Sequence, residues 1–221
     1  ERSESSLKVE AALALERLGR AKKDWLVGAL QNGESTILRF KIAGALGRLQ
    51  DRSSVPALRQ AFREDEDTIV RSSAGLSLMR LGDREMLPAV GDTLAESSET
   101  SVALVMIEAL EASGDSAAVP YLEAAVQQDL HYQVRLQSLG ALSRLGFRTA
   151  IGAYLQGLLS NDRNAAIRAM AAEGLGILQD TTAVPLLQAA FRSEPSIPVR
   201  LQAAEALVQM GYGLEISPEM E

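Results

Sequence analysis

Three kinds of residue in this sequence could do chemistry: one histidine, one acidic run and a recurring arginine. His131 could act as a general base or a metal ligand only with partners, because acid–base work needs an orienting group and a metal needs several donors. The chain holds no second His and no Cys. Thiolate catalysis, disulfides and Cys-ligated zinc or iron–sulfur are therefore excluded. The run Glu64-Asp65-Glu66-Asp67 lacks the Asp-x-Asp-x-Asp-Gly spacing of a calcium loop and falls before a predicted helix, where acids are favourable. No Gly-rich phosphate loop, Ser/His/Asp set or paired-His motif is visible. No catalytic residue, metal site or cofactor is assigned.

The arginines lead to the architecture. A β-branched residue or Leu stands before a basic residue at Leu7-Lys8, Leu38-Arg39, Val70-Arg71, Val134-Arg135, Ile167-Arg168 and Val199-Arg200, and Val102-Ala103 falls in the same series. The steps between these anchors are 31, 32, 32, 32, 33 and 32 residues. Counting each anchor as position zero, position 8 is Leu in every copy: Leu15, Leu46, Leu78, Leu110, Leu142, Leu175 and Leu207. Position 4 and position 7 are mostly small, as at Ala74 and Ala45. Positions 0, 4, 7, 8 and 11 share one face of a helix, so each copy contains a helix, B, that buries this stripe and lets its neighbours approach closely.

Each helix B has a punctuated end. Gly19, Gly82, Gly114, Gly146 and Gly211 stand at position 12, where a left-handed C-terminal residue is expected. A shorter helix, A, opens with Val55-Pro56, Leu87-Pro88, Val119-Pro120 or Val184-Pro185, since proline suits the first helical turn. Three residues before the anchors stand Ser35, Asp67, Asn164 and Ser196, all good N-caps, with His131 in the same slot. His131 is read as a surface cap.

The text "VRLQSLGALSRLG" and "IRAMAAEGLGILQDTTAVPLLQAAF" resembles the short HEAT-like repeats of the phycobilisome-lyase type, over essentially the whole chain. The resemblance implies an all-α, right-handed alpha-alpha superhelix of about seven repeats, a single domain over 1–221 with B helices starting near 7, 38, 70, 102, 134, 167 and 199, and a polar tail at 212–221. It also implies a ladder in which the position 1 arginines meet the acids five residues before an anchor, Asp65, Asp129, Asp162 and Glu194. It permits one activity, that of a bilin-lyase-like subunit acting on a phycobiliprotein. HEAT-like iron hydroxylases need several His-Glu pairs, and HEAT-like DNA glycosylases need a basic aromatic groove. This chain has one His and one Trp.

Composition narrows the partner. Net charge is −7 and aromatics are 4%, so a nucleic-acid partner is not expected. No run of about 18 apolar residues offers a membrane span. Arg far outnumbers Lys, a bias that fits a GC-rich bacterial genome. The chain starts at Glu1 and shows no capping repeat at either end, which predicts a piece of a longer solenoid or complex; a cytoplasmic location is expected, with export left open. Residues 1–110 carry 15 Lys and Arg against 17 Asp and Glu, and residues 111–221 carry 7 against 12. The inner face is thus expected to be polarised along the chain.

A repeat architecture without catalytic groups reads as a protein–protein interaction scaffold that uses its concave helix B face. The fourth helix B, "VALVMIEALEASG", departs from the pattern. It lacks Arg at positions 1 and 10 and places Leu104 and Val105 away from the core stripe. With Leu76, Met79 and Leu136 on neighbouring helices these form a candidate apolar patch for a protein or peptide partner. Its expected rim is Arg48, Arg80 and Arg144 on one side and Glu108 with Glu111 on the other.

Overall fold

The computed structural model describes residues 23–50, 52–128, 131–147 and 149–213. The first expected helix B, with Leu7, Lys8 and Gly19, lies outside these residues, as do Asp129 and most of the C-terminal tail. Among the described residues every regular element is helical. A helices alternate with B helices: α1 (Lys23–Asn32), α2 (Thr36–Arg48), α3 (Val55–Glu64), α4 (Thr68–Arg80), α5 (Leu87–Glu96), α6 (Thr100–Ser113), α7 (Val119–Gln128), α8 (Tyr132–Arg144), α9 (Thr149–Asn161), α10 (Ala165–Leu178), α11 (Val184–Ser193) and α12 (Ile197–Gln209). Each B helix begins two residues before its anchor. The regular period predicts one domain; the contacts group into two compact units, Glu1–Tyr121 and Leu122–Glu221. Nearest-neighbour stacking permits such grouping, because each helix pair touches only adjacent pairs.

In the first unit the B helices α2, α4 and α6 stand side by side, and α1, α3 and α5 each pack on the B helix that follows. The stripe read from the sequence is the core. Leu46, Leu78 and Leu110 at position 8 are at most 1% exposed, and Ile42, Ala74 and Met106 at position 4 are fully buried. Burying one such Leu contributes about 1.5–3 kcal/mol, and truncating it to Ala would cost about 2–5 kcal/mol. Small residues set the helix spacing. A Cβ on Gly47 would sit 2.9 Å from Ser77 Cα, so α2 and α4 touch backbone to backbone there.

The helix ends are built from local bonds. Gly82 has φ +72° and Gly114 has φ +61°, as the position 12 glycines require. Behind Gly82, the Asp83 N–H reaches back to the carbonyl of Leu78 at 3.0 Å, closing the helix. Gln50 occupies the same place without glycine and still takes φ +55°. Its side-chain amide donates to the Gly47 carbonyl at 3.0 Å and to the Arg80 carbonyl at 3.3 Å, which offsets the strain. Short 3₁₀ turns, Arg84–Met86 among them, then lead into the proline-opened A helices.

The second unit repeats these devices. α8, α10 and α12 are its B helices; α10 packs against both α8 and α12. Leu142, Leu175 and Leu207 are buried at position 8. A Cβ on Gly176 would lie 2.9 Å from Ala206 Cα, the counterpart of Gly47 against Ser77. Gln179 has φ +55° and donates to the Gly176 carbonyl at 2.9 Å. Asn164 caps α10 by accepting from the Ala166 N–H, while His131 stands exposed at the N-cap of α8 without a side-chain cap bond.

Candidate functional site

The position 1 arginines go into structure. Arg39 donates through Nε to Asp65 Oδ2 at 2.8 Å, through Nη2 to Oδ1 at 3.0 Å, and through Nη1 to the Gly33 carbonyl at 2.9 Å. Asp65 belongs to the next repeat, so the bond ties repeats together. Burial alone would raise the Asp65 carboxyl. The Arg39 hydrogen bonds, the Asp67 N–H and the nearby guanidinium charges outweigh it and hold the group below its ordinary range. In the second unit Arg168 meets Glu194 at 2.5 Å in the same way, and that bond, against some burial, holds Glu194 low. Arg71 and Arg200 donate to the carbonyls of Asp65 and Glu194, six residues upstream, at 2.7 and 2.9 Å. Two expected rungs are missing among the described residues: Arg135 is in no ion pair with Asp162 and donates to the Val126 carbonyl at 2.9 Å. The slot facing Arg71 in the next loop holds Ser97, and among the described residues Arg71 is in no ion pair.

The outward positions of the first unit form the candidate site. Positions −1, 2, 3, 6 and 10 of α2, α4 and α6, with the buried Ser77 and Val102 behind them, line a groove of about 540 Å³. Its apolar surface comes from Phe40, Ile69, Leu76, Val102 and Val105. Phe40 is 42% exposed and Ile69 is 44% exposed. Three of its hydroxyls are engaged: Ser72 donates to the Thr68 carbonyl at 2.8 Å, Ser73 to the Phe40 carbonyl at 3.2 Å, and Ser77 to the Ala43 carbonyl at 2.8 Å. The last two join α4 to α2, and none is set beside a base that would activate it. The charged lining is Lys41, Arg48, Arg80 and Glu108. Arg80 Nη2 meets Glu108 Oε1 at 2.6 Å. Arg48 lies back along α2: a Cβ on Gly44 would be 3.4 Å from its Nη1, so glycine makes the room.

The structure brings Leu76, Val105, Arg48, Arg80 and Glu108 of the expected patch together in this groove. Leu104 and Glu111 are half-buried on α6 and do not line it. Met79 corrects the sequence reading. It is 2% exposed, not on the surface. Position 9 faces position 7 of the next B helix, as Gly47 faces Ser77, so a side chain there is enclosed by the neighbour's approach. Leu136, half-buried, and Arg144, exposed, lie on α8 in the second unit and are not part of this groove. Phe40, Lys41 and Ile69 were missed. The count that picked Leu104 and Val105 on α6 would have found the first two at positions 2 and 3 of α2.

The second unit's outward positions differ in charge. Glu173 and Glu205 stand at position 6 of α10 and α12, and Arg144 stands at position 10 of α8 over Gly140. Partial burial, with the Glu205 charge added, pushes the Glu173 carboxyl above its ordinary range. Among the described residues no group of three or more His, Asp or Glu could hold a metal, and no helix is long and apolar enough to cross a membrane.

Stacked A and B helices at a constant period define an α-solenoid of the alpha-alpha superhelix class. The HEAT-repeat pattern matches residues 1–79 and 124–208, and the chain belongs to the HEAT-repeat family. No protein of curated function matches it by sequence. Among solved structures it is similar to the complex of CpcE and CpcF of phycocyanin lyase from Nostoc sp., at 23% identity and a TM-score of 0.55, covering 100% of this chain and 87% of the other. It is also similar to human deoxyhypusine hydroxylase in complex with glycerol, at 20% identity and a TM-score of 0.44, covering 91% and 89%.

Proposed function

We propose that this protein is a non-catalytic interaction scaffold whose α2–α4–α6 groove receives a segment of a partner protein. One observation carries the reading: three adjacent B helices leave a contiguous apolar surface, including Phe40 and Ile69, open in a groove rimmed by charge. Exposed apolar surface with a polar rim is the anatomy of a protein-binding site. A protein is favoured over nucleic acid because the chain is acidic, at −7 overall. The test is proximity labelling in the source cell with the native chain and with Leu76→Asp and Val105→Asp. Expected is loss of the same labelled proteins with both variants, at an unchanged helical circular-dichroism spectrum and Tm. Labelling that survives both changes refutes the groove.

The alternative reading, a subunit of a bilin-lyase-like enzyme acting on a phycobiliprotein, draws on the groove's volume, which falls in the range of small-molecule sites. It predicts a shift in visible absorbance when the chain is mixed with a free bilin and an acceptor phycobiliprotein, lost with Val105→Asp. An unchanged spectrum removes it.

A further inference from the structure

We propose that the segment received by the α2–α4–α6 groove is acidic as well as apolar, and that Glu108 stands in for its carboxylate in the unbound protein. The inference deepens the scaffold reading and rests on it. The chain is acidic as a whole and residues 1–110 carry more acids than bases, yet the groove's charged lining is Lys41, Arg48 and Arg80 against Glu108 alone. Three cations gathered on an acidic protein attract an anionic partner and repel a cationic one.

The placement of the charges adds geometry. Lys41 and Arg48 are seven residues apart on α2, two helical turns or about 10 Å. A helix lying along α2 would meet both with carboxylates two turns apart, while its apolar side chains cover Ile69, Leu76 and Val105. Arg80 stands on the middle helix, and Glu108 reaches it from α6 at 2.6 Å. That pair is open to water, with side chains 34% and 54% exposed, and such a pair contributes little. A partner's carboxylate can therefore exchange with Glu108 at small cost. Covering the groove then removes water and strengthens the new contact. Glu108 acts as a competitor, lowering affinity for acidic segments and rejecting weak ones.

The test uses the full chain and peptides selected on it. Random peptides of about four helical turns are displayed on phage and selected against the native protein. Clones that bind are remade with a fluorescent label and measured by anisotropy at low and high salt. Those weakened by Val105→Asp report the groove. Expected is that these peptides carry Asp or Glu two turns apart beside apolar residues, that replacing those acids by Gln abolishes binding, and that salt weakens it. Arg48→Gln and Arg80→Gln should each weaken them about tenfold, and Glu108→Gln should tighten them about threefold to tenfold, all at unchanged Tm. Groove-dependent peptides that are neutral or basic overturn this inference and leave the scaffold reading standing. So do acidic peptides to which Glu108→Gln makes no difference. Peptides that all ignore Val105→Asp overturn the groove reading and this inference together.

Discussion

In the first unit the outward positions of the B helices carry Lys41, Arg48 and Arg80 against Glu108; in the second they carry Arg144 against Glu173 and Glu205. The inward positions are alike. Both units bury Leu at position 8, pack a small residue at position 7, close glycine against the next helix at Gly47 and Gly176, and turn a non-glycine residue left-handed at Gln50 and Gln179. Packing therefore dictates one set of positions, and the other set is left to vary with charge. The proposed function draws on the second set, since a fold shared through the first assigns no task by itself.

The comparison breaks most visibly at the ladder. Arg39 and Asp65 have side chains only 8% and 7% exposed, so Arg39→Ala strands a buried carboxylate and should cost about 3 kcal/mol in urea unfolding. Arg71→Ala removes bonds to a carbonyl and to Thr68 and a charge near Asp65 that Arg39 still pairs, and should cost about 1 kcal/mol. Equal costs would mean that the carboxylate rung is not what holds the loops.

Buried hydroxyls give the next test. Ser77 in the first unit donates to the Ala43 carbonyl, while Ser138 Oγ in the second is buried with no partner among the described residues. Ser77→Ala should lower the unfolding free energy by about 1 kcal/mol, and Ser138→Ala should raise it by up to about 1 kcal/mol. If thermal melts shift the same way for both, the contrast between them is false.

A smaller gain is expected from Ser97→Asp, which supplies Arg71 with the carboxylate that Arg39 and Arg168 already have. The partly exposed pair should add about 0.5 kcal/mol, and Arg71→Ala should then cost more in the Ser97→Asp background than in the native chain. Additive effects in that double-mutant cycle would show that no rung formed.

The smallest effect is in pH dependence, where the ladder carboxylates of both units oppose Glu173 of the second within one titration. Asp65 and Glu194 are held low, so their stabilisation is present above the ordinary carboxylate range and is lost as pH falls through their lowered values. Glu173 is held high, so the folded state takes up its proton first. Its charge disfavours folding at neutral pH, and the penalty is relieved as pH falls through the raised value. Glu173→Gln should raise Tm at pH 7 and leave it unchanged in strong acid. A Tm lowered at pH 7 would place Glu173 in a favourable contact instead.

The sequence alone determined what is local and repeated. Helical period, the buried stripe with Leu at position 8, the glycine stops with φ +72° at Gly82 and φ +89° at Gly146, and the proline-opened A helices all depend on residues a few places apart, so the text carries them. Outward positions are legible by the same count, which places Leu76, Val105, Arg48, Arg80 and Glu108 on the face that lines the groove. Tertiary structure decided what depends on a neighbour. Met79 is enclosed because position 9 faces the next helix, and Arg39, charged and by type a surface residue, is 7% exposed because a loop of the following repeat closes over it with Asp65. Gln50 turns left-handed because carbonyls of two separate helices stand within reach of its amide. Each of these is a distance between residues some thirty positions apart, and a period in the sequence states that such residues are equivalent without stating how closely they meet.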